Sequence, residues 1–166
     1  MKVNIALLTV TDTRTIDNDK SGGILVNKIK EADHNLIDRK ICKDNKNEIV
    51  VILKDWLNKE KIDVIITTGG TGLTGRDITP EALDEIADKH IPGFGEMFRY
   101  ISIKSVGTSS IQSRACAVLS NGKYVFALPG SSGGVTDAWE EILKHQLDIN
   151  HKPCNFVELF PRLKEK

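Results

Sequence analysis

Ile62-Asp-Val-Ile-Ile-Thr-Thr68 runs without interruption into Gly69-Gly-Thr-Gly-Leu-Thr-Gly75. A continuous β-branched run is the mark of a strand buried on both faces, and such a strand belongs in the middle of a sheet. Glycines at 69, 70, 72 and 75 leave the backbone free to turn with positive φ and let peptide N–H groups approach a ligand with no Cβ in the way. The segment reads as a central strand followed either by a phosphate-binding nest or by a tight strand-to-helix turn. No Lys-Ser/Thr follows the glycines, and their spacing is not that of the dinucleotide fingerprint, so neither of those nucleotide motifs applies.

Working outward, residues 4–11 form a short apolar run ending in a polar loop, and Ser21-Gly22-Gly23 opens a stretch with Leu25, Ile29 and Ala32 at helical spacing. Residues 36–42 predict a second strand. Asn45, with Glu48 three residues on, predicts a capping-box start for a helix whose Ile49, Ile52, Leu53, Trp56 and Leu57 share one face. Beyond the glycine segment, Thr79 and Pro80 predict the N-cap and first turn of a helix over 81–89, and Pro92-Gly93 precedes a further helix marked by Phe94, Met97, Phe98 and Ile101. Residues 115–119 and 124–128 around Asn121-Gly122 predict a hairpin with a type I′ turn. Val135, Ala138, Trp139, Ile142 and Leu143 mark a last helix, and residues 152–166 read as irregular or peripheral.

Strands alternating with helices require right-handed crossovers, which predicts one α/β domain over residues 1–166. The expected architecture is a doubly wound, three-layer α/β/α fold with a mostly parallel sheet and a small β-hairpin element. In such folds ligands bind at the carboxyl ends of the strands. The polar loop after Thr11 and both glycine-rich segments follow strand ends, so one rim should hold all three.

The chain has 166 residues, 40% hydrophobic and 28% charged, with 23 Lys+Arg against 23 Asp+Glu. That is globular composition with no net field to collect polyanions, so nucleic acid and anionic membrane surfaces are not expected as main partners. Cys42, Cys116 and Cys154 lack paired spacing and read as reduced thiols, and no stretch approaches roughly 20 apolar residues, so a cytoplasmic location is expected. The four histidines have no metal-ligand spacing, and no Gly-x-Ser-x-Gly elbow supports a hydrolase triad.

The second loop, Pro129-Gly130-Ser131-Ser132-Gly133-Gly134, also leads from a strand into a helix, whose amino end favours anions. Two anion sites on one rim suit a polyphosphate. Ser131 and Ser132 serve either as hydroxyl donors to a ligand or as the helix N-cap. Asp77 lies just past the first glycine loop and Asp44 just past the second strand. Two carboxylates near phosphates suit Mg²⁺, which prefers one or two carboxylates with water and phosphate oxygens. Local pairing, of Asp77 with Arg76 or Arg14 and of Asp44 with its own loop, is the alternative. The apolar stripe of Phe94, Phe98 and Ile101 reads as core or, if exposed, as a subunit contact.

With Thr67-Thr-Gly-Gly-Thr-Gly-Leu-Thr-Gly-Arg-Asp-Ile-Thr-Pro-Glu-Ala82 and Leu128-Pro-Gly-Ser131 in view, the sequence resembles the MoaB/MogA family of molybdenum cofactor biosynthesis. The likeness extends through Leu8-Thr-Val-Thr-Asp-Thr13, Ser21-Gly22, Gly93-Phe-Gly-Glu-Met-Phe-Arg99, Gly107-Thr-Ser-Ser-Ile-Gln-Ser-Arg114 and Lys152-Pro-Cys-Asn-Phe156, the last three resembling the MoaB branch. It implies a molybdopterin-binding domain, trimeric or hexameric, that transfers AMP from Mg-ATP to the terminal phosphate of molybdopterin and works with a downstream molybdenum-insertion enzyme. Asp44 and Asp77 match the family's catalytic acids, filled here where some MoaB-branch relatives are poorly equipped. By the same resemblance the substrate and nucleotide contacts fall to Thr11, Asp12, Thr13, Ser21, Gly22, Gly69, Gly70, Thr71, Gly72, Gly75, Thr79, Pro80, Glu81, Pro129, Gly130, Ser131, Ser132 and Gly133. A binding or scaffold protein lacking turnover, and more weakly a nucleotide phosphohydrolase, are the other functions compatible with these residues.

Overall fold

In the computed structural model, which describes residues 1–165, β1 (Asn4–Val10), α1 (Lys20–Glu31), β2 (Asn35–Cys42), α2 (Lys46–Leu57) and β3 (Val64–Thr68) follow one another as strand and helix in alternation. The first two crossovers place β2 and β3 on opposite sides of β1, both parallel to it. The order of the six-stranded sheet is β2-β1-β3-β6-β5-β4, completed by β4 (Lys89–His90), β5 (Cys116–Ser120) and β6 (Lys123–Leu128). Strand β6 is parallel to β3, whereas β5 runs antiparallel to β6 and to β4. The predicted hairpin therefore lies within the main sheet. Its turn residues Asn121 and Gly122 both have positive φ, +46° and +70°, as a type I′ turn requires.

Period-two alternation divides the core. Ile5, Leu7, Val64 and Ile66 face α1, α4 (Pro92–Val106) and α5 (Ser132–Ala138), while Ala6, Leu8 and Ile65 face α2 and α3 (Thr79–Ile86). Helix α5 continues through a π turn at Trp139–Leu143 into α6 (Lys144–Gln146). Asn45 caps α2 by accepting from the Glu48 N–H at 3.1 Å.

Three expectations are corrected, and for the apolar stripe of α4 the core reading is the one that holds. Helix α3 ends at Ile86, not at residue 89, because Asp88 N–H and Ile91 N–H donate to Leu119 O and Ala117 O at 2.8 Å each and draw Lys89 and His90 into an edge strand. Thr79 is not the N-cap of that helix; its hydroxyl donates instead to Gly69 O at 2.8 Å. Phe94, Phe98 and Ile101 are buried in this chain's own core, and the exposed apolar residues of α4 are Met97, Tyr100, Ile103 and Val106. The carboxyl-terminal segment is packed, not peripheral: Phe156 lies 4.6 Å from Tyr124, centroid to centroid, and Val157 is buried.

Candidate functional site

Strands β3 and β6 are neighbours, so the loops at their carboxyl ends meet. Gly69 and Gly130 touch directly: a Cβ on Gly130 would lie 3.3 Å from Gly69 Cα, and one on Gly69, at φ +99°, would lie 2.2 Å from Val10 O. Only glycine at 69 allows the ends of β1, β3 and β6 to close to this distance. Gly69 N–H donates to Leu128 O at 3.0 Å, and Thr68 Oγ1 donates to Pro129 O at 2.7 Å.

Between the two loops opens a cleft of about 650 Å³. Its floor is Gly70, Thr71, Gly72 and Asp77 on one side and Pro129, Gly130, Ser131, Gly133 and Gly134 on the other. The far wall comes from α4 and the helical turn Gly107–Gln112, where Ser102, Ser105, Ser109 and Ser110 stand beside the apolar Phe98 and Val106. Asp77 and Asp137 are the charged groups of the lining, which among the described residues contains no Lys, Arg or His. The serine wall escapes sequence reasoning because its residues arrive from a helix end and a turn, neither of which carries a ligand-binding motif.

Two of the sequence-predicted acids have different surroundings. Burial pushes the Asp77 carboxyl upward, but Thr74 Oγ1 (2.7 Å), Thr74 N–H (2.9 Å) and the Gly72 N–H outweigh it and hold the group below the usual carboxylate range. A Cβ at Gly72 would lie 2.7 Å from Asp77 Oδ2, so the glycine leaves room for that carboxylate. Asp44 stands at the edge of the nest, its Oδ1 3.2 Å from where a side chain at Gly70 would begin. Its carboxyl is raised by burial and then by the negative charges of Asp12 and Asp77. Asp44 N–H donates to Asp12 Oδ1 at 3.2 Å, and Arg76 forms its ion pair with Asp12 and not with Asp77. Arg14 turns to Asn18 O at 3.1 Å. Among the described residues no group of three or more His, Cys, Asp or Glu is arranged to hold a metal ion.

The remaining predicted residues are dispersed. Thr11 and Asp12 line an adjacent groove with Arg14, Cys42 and Lys43, and Thr13 is exposed, its N–H directed to Thr11 Oγ1 at 3.3 Å. Ser21 and Gly22 are buried around Asp19, which accepts from Thr9 Oγ1 (2.6 Å), Gly22 N–H (2.9 Å) and Arg39 Nη2 (3.1 Å). Gly75 and Ser132 are exposed outside the cleft lining, and Ser131 Oγ caps α5 by accepting from Gly134 N–H at 3.1 Å. Thr79 and Pro80 are buried beneath the nest, and Glu81 is paired with Arg114.

Cys42 and Cys116 are held as neutral thiols by burial, at about 12 and about 11, and Cys154 is exposed and unbridged. No helix among the described residues is long and apolar enough to cross a membrane.

Residues 6–149 match the family described as "Probable molybdopterin binding domain". The chain is 42% identical over 161 residues to molybdenum cofactor biosynthesis protein B of Escherichia coli (strain K12), covering 97% of this chain and 93% of that protein. A crystal structure of a molybdenum cofactor biosynthesis protein B superposes with a TM-score of 0.89 at 38% identity, covering 100% of this chain and 98% of that one. The tungsten cofactor synthesizing protein MoaB from Pyrococcus furiosus superposes with a TM-score of 0.78 at 34% identity, covering 87% and 92%. With the family match over residues 6–149, the sequence identity over nearly the whole length and the superposition of the fold, the chain belongs to the MoaB/MogA family of molybdenum cofactor biosynthesis proteins.

Proposed function

We propose that this chain adenylylates molybdopterin: a terminal phosphate oxygen of molybdopterin attacks the α-phosphorus of ATP, the bond to the β-phosphate breaks, and pyrophosphate leaves. The observation that carries this reading is one cleft lined by both glycine loops and Asp77 and, among the described residues, by no cationic side chain. A polyphosphate there meets N–H groups from two loops, with Asp77 facing it and Asp44 at the rim. Uncompensated, those acids repel it. Asp44 is raised first by burial and then by the negative charges of Asp12 and Asp77, and a hard cation would relieve that charge repulsion.

Mg²⁺ bound with ATP fits this donor set, with Asp77 and Asp44 as its protein oxygens, and would supply charge neutralisation for the triphosphate. The chain's own residues position. The Gly70 to Gly72 backbone and the Gly130 to Gly134 loop hold phosphates, and the far wall excludes water from one side. A phosphate nucleophile is already ionised near neutral pH, so no histidine base is needed and orientation carries the rate.

A binding or scaffold role is favoured by one observation, the commitment of the Asp77 carboxylate to Thr74. Incubation with ATP, Mg²⁺ and molybdopterin, followed by mass detection, separates the two. Adenylyl-molybdopterin with stoichiometric pyrophosphate supports the transferase, and pterin binding with ATP unchanged supports the scaffold. A threefold assembly through Met97, Tyr100, Ile103 and Val106 belongs to the same proposal, and a monomer in light scattering would remove it.

A further inference from the structure

The arginine nearest a phosphate cleft is by default a phosphate ligand, but Arg114 has little left to offer one. Nε donates to Gly72 O (2.7 Å), Nη2 to Asp77 O (2.6 Å), and both terminal nitrogens fork onto the Glu81 carboxylate. The residue's own N–H donates to Thr71 O at 2.9 Å. Four of the five guanidinium donor positions thus lie on protein acceptors.

The acceptors decide what this does. In a trans peptide the carbonyl and the following N–H point in opposite directions. Arg114 claims the carbonyls of Thr71, Gly72 and Asp77, and Thr79 claims those of Gly69 and Gly70, through Oγ1 at 2.8 Å and N–H at 3.0 Å. With the carbonyl side anchored, the intervening N–H groups are turned the other way. Those of Gly70 and Thr71 have no partner among the described residues, and both residues line the cleft. The tip of the loop, Leu73 to Arg76, is exposed; its further ties are local, Thr74 with Asp77, apart from the Arg76 ion pair with Asp12. Arg114 does not line the cleft, but it lies in the short link between the Gly107–Gln112 turn of the far wall and β5.

We infer that Arg114 is a positioning residue, a latch that sets the direction of the nest N–H groups and the backbone of Asp77 and fixes the spacing between the nest and the serine wall. The inference rests on the reading of the cleft as a polyphosphate site. It assigns the work to the planar fork and not to the positive charge, so lysine should not replace arginine.

The test uses the full-length protein and Mg-pyrophosphate as the probe, with titration calorimetry, adenylyl-transfer kinetics, amide hydrogen exchange and a thermal melt on wild type, Arg114→Lys and Glu81→Gln. In Arg114→Lys, pyrophosphate affinity should fall at least tenfold and kcat by about a hundredfold, the scale of a 1 Å misplacement. Exchange at the amides of residues 70–73 should accelerate while strand amides remain protected. Glu81→Gln keeps the arginine but weakens the fork, so it should move the same readouts in the same direction by about threefold to tenfold. Should Arg114→Lys unfold, Glu81→Gln carries the decision, and no change in its affinity or loop exchange overturns the latch. Equal affinity, kcat and loop exchange in a folded Arg114→Lys also overturns it, since charge alone would then suffice. Wild type that fails to bind pyrophosphate overturns the polyphosphate reading instead, while accelerated loop exchange in the variants would still reveal the latch.

Discussion

Two acids at the same rim of the sheet are treated in opposite ways. Asp19, at the start of α1, is buried and surrounded by donors: Thr9, Gly22 and Arg39 outweigh the cost of burial and hold its carboxyl below the usual range. Asp44, past the end of β2, is raised by burial and by two further carboxylates. Folding has satisfied the first acid and left the second in conflict. A conflict kept at a cleft edge is the pattern expected of a group that acts on a ligand, whereas satisfaction at a helix start marks a structural acid. Asp77 stands between them, satisfied by Thr74 yet facing the cleft.

The sharpest way to break this division is Asp77→Asn. The amide keeps an oxygen to accept from Thr74, so the loop should fold, but the charge facing the phosphates is gone. Adenylyl transfer should fall about a thousandfold, with molybdopterin binding changed less than threefold. Single-turnover kinetics with a pterin titration measure both, and equal transfer rates would remove Asp77 from the chemistry.

Asp19→Ala should have the complementary effect, a loss of about 3 kcal/mol in urea unfolding with the nest intact, because it leaves Arg39 without its buried partner and α1 without its cap. Its pH dependence has a definite sign. The folded-state pKa is depressed, so the stabilisation is present above the unfolded value of about 3.9 and is lost as pH falls through the lower folded value. Wild type should therefore lose stability on that acid limb, and the variant should be flatter there. A melt unchanged by the substitution would show that the network contributes nothing.

The capping serine allows a smaller test. Ser131 caps α5 much as Asp19 caps α1, but at an exposed position and without charge. Ser131→Ala should cost about 1 kcal/mol. If it also lowers pyrophosphate affinity tenfold, the hydroxyl reaches the ligand and capping is only half of its role.

The alternation of strands and helices was legible because burial imposes period on residues such as Ile5, Leu7 and Leu25, and the turn at Asn121-Gly122 because positive φ restricts residue choice. Strand β4 was not legible. It is two polar residues, Lys89 and His90, held by backbone pairing to β5, and no side-chain pattern records it. At the site, the two glycine loops announced themselves through composition, and their convergence followed from strand order. The role of Arg114 could not be read in advance, since its partners at Gly72 and Asp77 are backbone carbonyls 42 and 37 positions away. Asp19 was hidden for a related reason: Thr9 and Arg39 become its neighbours only when β1 and β2 pair. Thr11 to Thr13 and Ser21-Gly22 stand out only through the family resemblance, and Ser21 and Gly22 also donate to Asp19 in the buried cap of α1.

The smallest expected effect separates Asp44 from Asp19 most cleanly, because it has the opposite sign. A carboxyl raised in the folded state binds its proton more tightly there than in the unfolded chain, so it contributes stability at low pH that is lost as pH rises from about 3.9 through the raised value. At neutral pH the ionised Asp44 therefore works against the fold. Asn at this position removes its repulsion with Asp12 and Asp77 and leaves the backbone bond from Asp44 N–H to Asp12 in place. Asp44→Asn should stabilise the ligand-free protein by about 0.5 kcal/mol at pH 7, the scale of a partly exposed charge pair. The gain should vanish near pH 3, where the wild-type carboxyl is protonated. Addition of Mg-pyrophosphate should reverse the ranking, because a cation at the rim turns the wild-type conflict into attraction and the amide has no charge to give it. Thermal melts at pH 3 and pH 7, with and without Mg-pyrophosphate, supply all the comparisons. A variant destabilised at pH 7 in the absence of ligand would place Asp44 with Asp19 among the structural acids.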